Sequence, residues 1–178
     1  MAQQPVEFDS RGDGSVGAFP ENPPQIKVRQ LLFSEVLTKV HGAKSKAQKI
    51  KILQEEDCSA LRQICKWSFD PKIESELPSG TPPYVQNEAP EGTEHMLLRT
   101  EGDKLWHFIK SNGKSADPNL QSTVRERMFI RLLEGLHKDE AKLLCLVKEK
   151  RLHQVYKGLS TQVVSDAFRW NEDFQEYK

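Results

Sequence analysis

The chain has 178 residues, of which 37% are hydrophobic and 29% are charged, and its mean hydropathy is -0.66. This composition is polar for a globular protein but leaves enough apolar mass for one core, so we expect one domain with tails. The 26 Lys and Arg balance the 26 Asp and Glu. A strongly basic nucleic-acid binder and a strongly acidic disordered chain are therefore both disfavoured as descriptions of the whole chain.

Cysteine spacing and apolar runs indicate a reduced, non-membrane environment. The three cysteines form no CxxC and no Cys/His ligand spacing, so we predict neither a disulfide scaffold nor a zinc site. The first two dozen residues lack a basic segment followed by an apolar one, which excludes an ordinary secretory signal. The longest apolar run elsewhere, Leu143–Val147, is too short to span a membrane.

Charge and composition divide the chain into segments. Residues 26–72 carry ten basic and five acidic groups, residues 73–103 carry one and seven, and residues 104–157 carry twelve and six. Residues 1–25 are rich in Gly, Pro, Asp and Ser without helical or strand periodicity, and we predict an extended N-terminal arm there. We expect the arm to be dispensable for the fold and to attach a partner. Residues 171–178 are predicted to be a C-terminal tail.

Helical periodicity begins after residue 26. A first helix is predicted to end near Gly42, a second to start at the cap Ser45, and a third to be capped by Asp57 or Ser59 and stopped by Pro71. Later helices are predicted from about Thr123, from Lys138 and from the cap Ser160. Five residues at helical spacing are expected in the core, namely Leu61, Ile64, Leu132, Leu144 and Phe168.

The middle of the domain differs from its ends. Residues 71–93 are rich in proline and acidic residues, so a long helix is improbable there, and Asn112-Gly113 indicates a turn. We therefore predict an all-α fold over residues 26–170, a compact multi-helix domain with a proline-rich central excursion.

Recognisable catalytic motifs are missing from the sequence. There is no GxxxxGK[ST], GxGxxG or GxSxG, the acidic residues form no recognisable catalytic pair, and the five histidines form no HxH or HExxH. We predict a protein that is not an enzyme, with no catalytic residues, no metal ligands and no cofactor.

Two segments combine basic residues with a helix start. Lys44, Ser45, Lys46, Lys49 and Lys51 surround the capped beginning of the second helix, where free backbone N–H groups and ammonium groups suit a phosphate. Both Lys46 and Lys49 are expected to point to solvent. A solvated helix face is the alternative.

The second segment consists of Lys157, Gly158 and Ser160. Its glycine lies just before another helix start and would let a phosphate come close to the backbone. A plain connecting turn is the alternative there.

The same segments carry a family resemblance. The runs Ser45–Leu53 and Leu61–Pro71, followed by Arg131–Leu144, Lys148–Leu152 and Tyr156–Phe168, resemble the opening and closing helices of the N-terminal helical domain of phage-type ATP-dependent DNA ligases. The resemblance covers about residues 30 to 170, and it extends to small proteins of T4-like tailed phages that carry this domain alone. It implies an all-α fold, a phage source and a DNA-facing surface around Lys44–Lys51 and Lys157–Ser160. Because no KxDG motif is present, ligation is not implied.

Two functions follow as hypotheses. The first is a non-catalytic interaction or structural protein of a phage assembly, whose helical domain docks on other phage proteins and whose arm extends over a neighbour. The alternative is a DNA-binding accessory factor for phage replication, repair or transcription, which contacts phosphates. No membrane partner is expected. The expected location is the host cytoplasm during infection, with incorporation into the virion as a further option.

Overall fold

The computed structural model describes residues 30–90, 93 and 96–177. The predicted arm, residues 1–25, lies outside this range. Within the described residues, no helix is long and apolar enough to cross a membrane.

The described part of the chain is mostly helical. Its α-helices run in chain order with these bounds: α1 Phe33–Gly42, α2 Lys46–Glu55, α3 Ser59–Phe69, α4 Leu98–Glu101, α5 Ser122–Gly135, α6 Lys138–Lys148, α7 Leu152–Val155 and α8 Thr161–Phe168. A 3₁₀ helix, Gly102–Phe108, follows α4 directly.

Local capping chemistry explains where several helices begin. Ser45 caps α2 by accepting a hydrogen bond from the N–H of Gln48, and Ser160 caps α8 by accepting one from the N–H of Val163. Both predicted caps are confirmed. The prediction of Asp57 or Ser59 as the cap of α3 is wrong, because Cys58 occupies that position and its side chain makes no capping bond. The carboxylate of Asp57 pairs with Arg62 instead.

A small antiparallel sheet corrects the all-α prediction. Its strands are β1 Ile73–Ser75, β2 Ile109–Ser111 and β3 Lys114–Ser115, in the order β1-β2-β3. The predicted turn at Asn112 and Gly113 joins β2 to β3, and both residues have positive φ, 50° and 74°. A two-residue loop of this kind is the type I′ turn whose twist matches paired strands.

The segment after β1 is held by side chains of α6 and its end. Residues 76–90 form no helix or strand. Lys148, 5% exposed, donates to the carbonyl of Pro78 and pairs with Glu149, which also accepts the N–H of Gly80. The ion pair of the buried Lys148 with the half-buried Glu149 thus anchors a segment that forms no strand of its own.

One hydrophobic core joins the helices. The rings of Trp67, Phe108 and Phe129 pack together at its centre, with Phe108 and Phe129 edge to face at 5.3 Å between centroids. All five residues predicted for the core are buried: Leu61, Ile64, Leu132, Leu144 and Phe168.

A buried carboxylate ties two helix starts together. Glu140 on α6 is 2% exposed and accepts the N–H of Phe33 at 3.0 Å and that of Leu98 at 3.2 Å, the first residues of α1 and α4. These N–H groups have no partner within their own helices, so the carboxylate satisfies both. Burial raises the pKa of Glu140, while the two N–H donors oppose the rise.

Candidate nucleic-acid interface

The first predicted segment forms the turn between α1 and α2 and the first turns of α2. Besides capping α2 through its hydroxyl, Ser45 donates its backbone N–H to Gln48 Oε1, which completes a capping box. The N–H groups of Lys46 and Ala47, the first two of the helix, have no intrahelical acceptor and lie at an exposed surface. They can donate to an anion from outside.

The second predicted segment forms the turn before α8. Gly158 has φ +89°, a conformation that residues with a Cβ rarely adopt. Lys157, Gly158 and Ser160 are all exposed. The beginning of α8 therefore also presents unpaired backbone donors to solvent.

The fold brings these two segments together. His41, near the end of α1, lies with its Nδ1 3.2 Å from the carbonyl oxygen of Lys157. The ammonium of Lys49 lies directly over Gly158, so that a Cβ there would overlap it and would lie 3.2 Å from Lys49 Cε. We call the surface that joins these segments the basic face; it consists of His41, Lys44, Ser45, Lys46, Lys49, Lys157, Gly158 and Ser160.

Packing between α2 and α8 holds the basic face in place. Gln54 donates its side-chain amide to the carbonyl of Ala167 at 3.3 Å, and Lys46 pairs with Asp166 at 2.5 Å. The hydrogen bond from Lys46, with a second from Gln162, lowers the pKa of Asp166. Asp166 therefore stays ionised and offsets part of the charge of Lys46.

Two lysines differ from the expectation that they point freely to solvent. Lys46 is exposed but paired with Asp166, and Lys49 is half-buried against Gly158. Lys44 and Lys157 are exposed as well, and neither side chain makes an ion pair or hydrogen bond within the described residues. They are the ammonium groups most available to a ligand.

Lys51 does not join the basic face. It follows Lys49 by two residues, about 200° around an α-helix, and it approaches Glu55 at 3.7 Å on the exposed side of α2. Of the residues predicted for the site, it alone is placed apart. The sequence does not show that His41 belongs to this face, because its partner Lys157 is 116 residues away and no local motif links them.

The chemistry of this face suits an anion with several oxygens. Ammonium groups from two segments lie beside the free N–H groups at the starts of two helices, and both kinds of donor bind phosphate. Among the described residues, no group of three or more His, Cys, Asp or Glu side chains could hold a metal ion.

A comparison with protein-family models shows which family the chain belongs to. Residues 36–154, two thirds of the chain, match the model of DUF6433, a family of unknown function. The chain belongs to this family. The matched region contains the first segment of the basic face and ends just before the second. Comparison with curated proteins and with solved structures gives no match.

Proposed function

We propose that this protein binds the phosphate backbone of DNA through the basic face. The observation that carries the proposal is the convergence of two segments, 44–49 and 157–160, that are more than 100 residues apart in the sequence. Each segment by itself has the residues of a phosphate-binding helix start. Their contact through Lys49 and Gly158 makes one continuous surface of donors.

The charge of the face predicts the kind of binding. Lys44, Lys49 and Lys157 are cations without a carboxylate partner in the described structure, whereas Lys46 shares its charge with Asp166. Contacts of this number give sequence-independent binding of modest affinity that weakens as salt rises. This fits a protein of zero formal net charge, in which the local surface rather than the whole chain attracts the polyanion.

A charge-reversal pair tests the proposal. Fluorescence anisotropy with a labelled duplex of about 20 base pairs at low salt should show binding by the full chain. Lys44→Glu with Lys157→Glu should weaken it by about tenfold or more, because two phosphate contacts become repulsions. The matched control, Lys51→Glu with Lys114→Glu, makes the same change of charge outside the basic face and should weaken binding much less. Equal losses in the two variants would show a general charge effect and overturn the assignment.

An interaction protein of a phage assembly is the second candidate. It is favoured by the exposure of large apolar side chains on the described surface, namely Val85, Leu97, Trp106, Val155 and Tyr177. In this proposal the partners are other phage proteins, the N-terminal arm attaches to a neighbour, and the protein acts in the infected host cytoplasm or in the virion. Many copies per particle in mass spectrometry of purified particles would support it, and absence from the particle would favour the accessory DNA-binding role.

A further inference from the structure

A small apolar cavity lies beside α5, where the 3₁₀ helix and the residues before α4 pack on it. Its volume is about 240 Å³, and its apolar lining comes from Met96, Phe108, Met128 and Leu132. We call it the α5 pocket. It is large enough for one aliphatic or aromatic side chain, and methionine walls adapt their shape to different occupants.

Two large apolar side chains are exposed beside the α5 pocket. Trp106 is 42% exposed, and its ring stacks on His107, which lines the pocket, at 3.8 Å between centroids. Leu97, next to the pocket residue Met96, is 45% exposed. Tryptophan and methionine beside a recess are typical of the centres of protein interfaces.

Unpaired arginines supply the charge at this surface. Arg131 lines the pocket, and Arg127 lies one helical turn before it on α5; both are exposed. Neither pairs with a carboxylate in the described residues, whereas Arg62, Arg99 and Arg125 each do. Of the other groups that line the pocket, Lys104 pairs with Glu101, and His107 Nδ1 lies 2.7 Å from a carboxylate oxygen of Asp117.

We infer that the α5 pocket is a docking site for an acidic segment of a partner protein, with one large apolar side chain of the segment in the pocket and its carboxylates on Arg127 and Arg131. Guanidinium groups bind carboxylates through two parallel hydrogen bonds, which gives such a site direction as well as attraction. A nucleic acid fits less well, because it carries no flexible aliphatic side chain to fill an apolar recess. The inference is independent of the basic face.

Peptide selection on the full-length protein tests this inference. A displayed library of random peptides, each about 12 residues long, should yield binders with a Leu, Ile, Met or Phe near two or more Asp or Glu. The tightest binder, made as a fluorescent peptide, should lose about tenfold or more in affinity for Arg127→Glu with Arg131→Glu. It should lose a similar amount for Met128→Ser, which removes part of the apolar wall without changing charge.

The controls separate docking from general effects. Lys51→Glu with Lys114→Glu makes the same charge change elsewhere and should leave peptide affinity within about twofold, and circular dichroism should show all variants folded. Selected peptides without acidic residues, or binders unaffected by the α5 variants, would overturn the inference. A loss of duplex DNA binding in the Arg127 and Arg131 variant larger than in the Lys44 and Lys157 variant would also overturn it, by making this surface part of a nucleic-acid site.

Discussion

At Gly158, the backbone of the turn before α8 contacts the side chain of Lys49 on α2. The Gly158 φ of +89° disfavours a Cβ, and the space where the Cβ would lie is taken by the ammonium of Lys49. The backbone conformation therefore favours glycine at this position, and a larger residue would displace the flexible end of Lys49. Gly80 offers a comparison, because it has φ +84° but a Cβ added to it would meet no other atom within 4 Å.

Gly158→Ala and Gly80→Ala should each destabilise the fold by about 1 kcal/mol, because both positions have positive φ and the flexible end of Lys49 can move aside from a Cβ added at Gly158. Urea unfolding followed by circular dichroism measures both. A cost at Gly158 that is much larger than at Gly80, and that disappears in a Lys49→Ala background, would show instead that Lys49 cannot leave its place over Gly158.

Because Glu140 is buried, we expect the free energy of unfolding to depend on pH. Burial raises its pKa in the folded protein above the ordinary value of 4.5. A group whose pKa is higher in the folded than in the unfolded protein stabilises the fold through its protonated form. This stabilisation is fully present below the pKa of the unfolded protein and is lost as the pH rises through the pKa of the folded protein. This carboxyl group therefore favours the folded state more at about pH 4.5 than at about pH 7.

Glu140→Gln removes the titration and leaves one of the two helix-start N–H groups facing an amide nitrogen. We expect a loss of about 1 to 3 kcal/mol at about pH 7. The wild-type protein should gain stability relative to the variant as the pH falls from about 7 toward about 4.5, measured by urea unfolding at each pH. If the difference in unfolding free energy between the wild type and the variant instead narrows as the pH falls, burial does not raise the pKa of Glu140.

At the scale of elements, α3 and the 3₁₀ helix approach each other closely. A Cβ on Gly102 would overlap the Cβ of Ala60 and lie 2.8 Å from its Cα. Backbone cannot move aside as a flexible side-chain end can, so this contact needs glycine on one side and alanine on the other.

Gly102→Ala should cost about 2 kcal/mol or more, because the two elements must separate. Gly42→Ala is the matched control, since Gly42 lies at the end of α1 with nothing within 4 Å of an added Cβ. It should be neutral or stabilising by up to about 1 kcal/mol. Thermal unfolding of both variants measures the difference, and similar midpoints would mean that the 3₁₀ helix packs loosely on α3.

How well a helix or strand can be predicted from the sequence depends on how far apart in the sequence its interacting residues lie. The six longer helices follow from local periodicity and from caps such as Ser45 and Ser160, so the sequence predicts them well. The sequence does not predict the four-residue helices α4 and α7 or the 3₁₀ helix, which are too short to show a period. The strands are two or three residues long, and β1 pairs Ile73 with Ser111 across the chain, which leaves no local pattern. Asn112-Gly113 marks the turn, but a turn alone does not reveal its strands.

The candidate site was predictable in its residue types but not in its pairing. Lysines around Ser45 and the glycine before Ser160 are local signals. The pairing of Lys46 with Asp166, the contact of Lys49 with Gly158 and the approach of His41 to Lys157 all depend on how α2 packs against α8. Lys51 shows the reverse case, since helix geometry turns it away from lysines that are its neighbours in sequence.

At the scale of the molecule, two surfaces that both favour negatively charged partners lie on a chain of zero formal net charge. The basic face offers ammonium and backbone N–H donors to phosphates. The α5 pocket offers an apolar recess with two guanidinium groups to an acidic protein segment. In our proposals, this member of the DUF6433 family holds DNA and a protein partner at the same time.

The salt dependence of duplex binding tests the central claim most directly. With the wild-type chain, the logarithm of the association constant should fall linearly with the logarithm of salt concentration, by about 0.9 per phosphate contact. Lys44→Glu with Lys157→Glu should flatten that slope by about 1.8, whereas Lys51→Glu with Lys114→Glu should leave it nearly unchanged. No binding of the wild-type chain at about 50 mM salt, where phosphate contacts are strong, or the same slope in all three proteins, would contradict the assignment of the basic face to DNA.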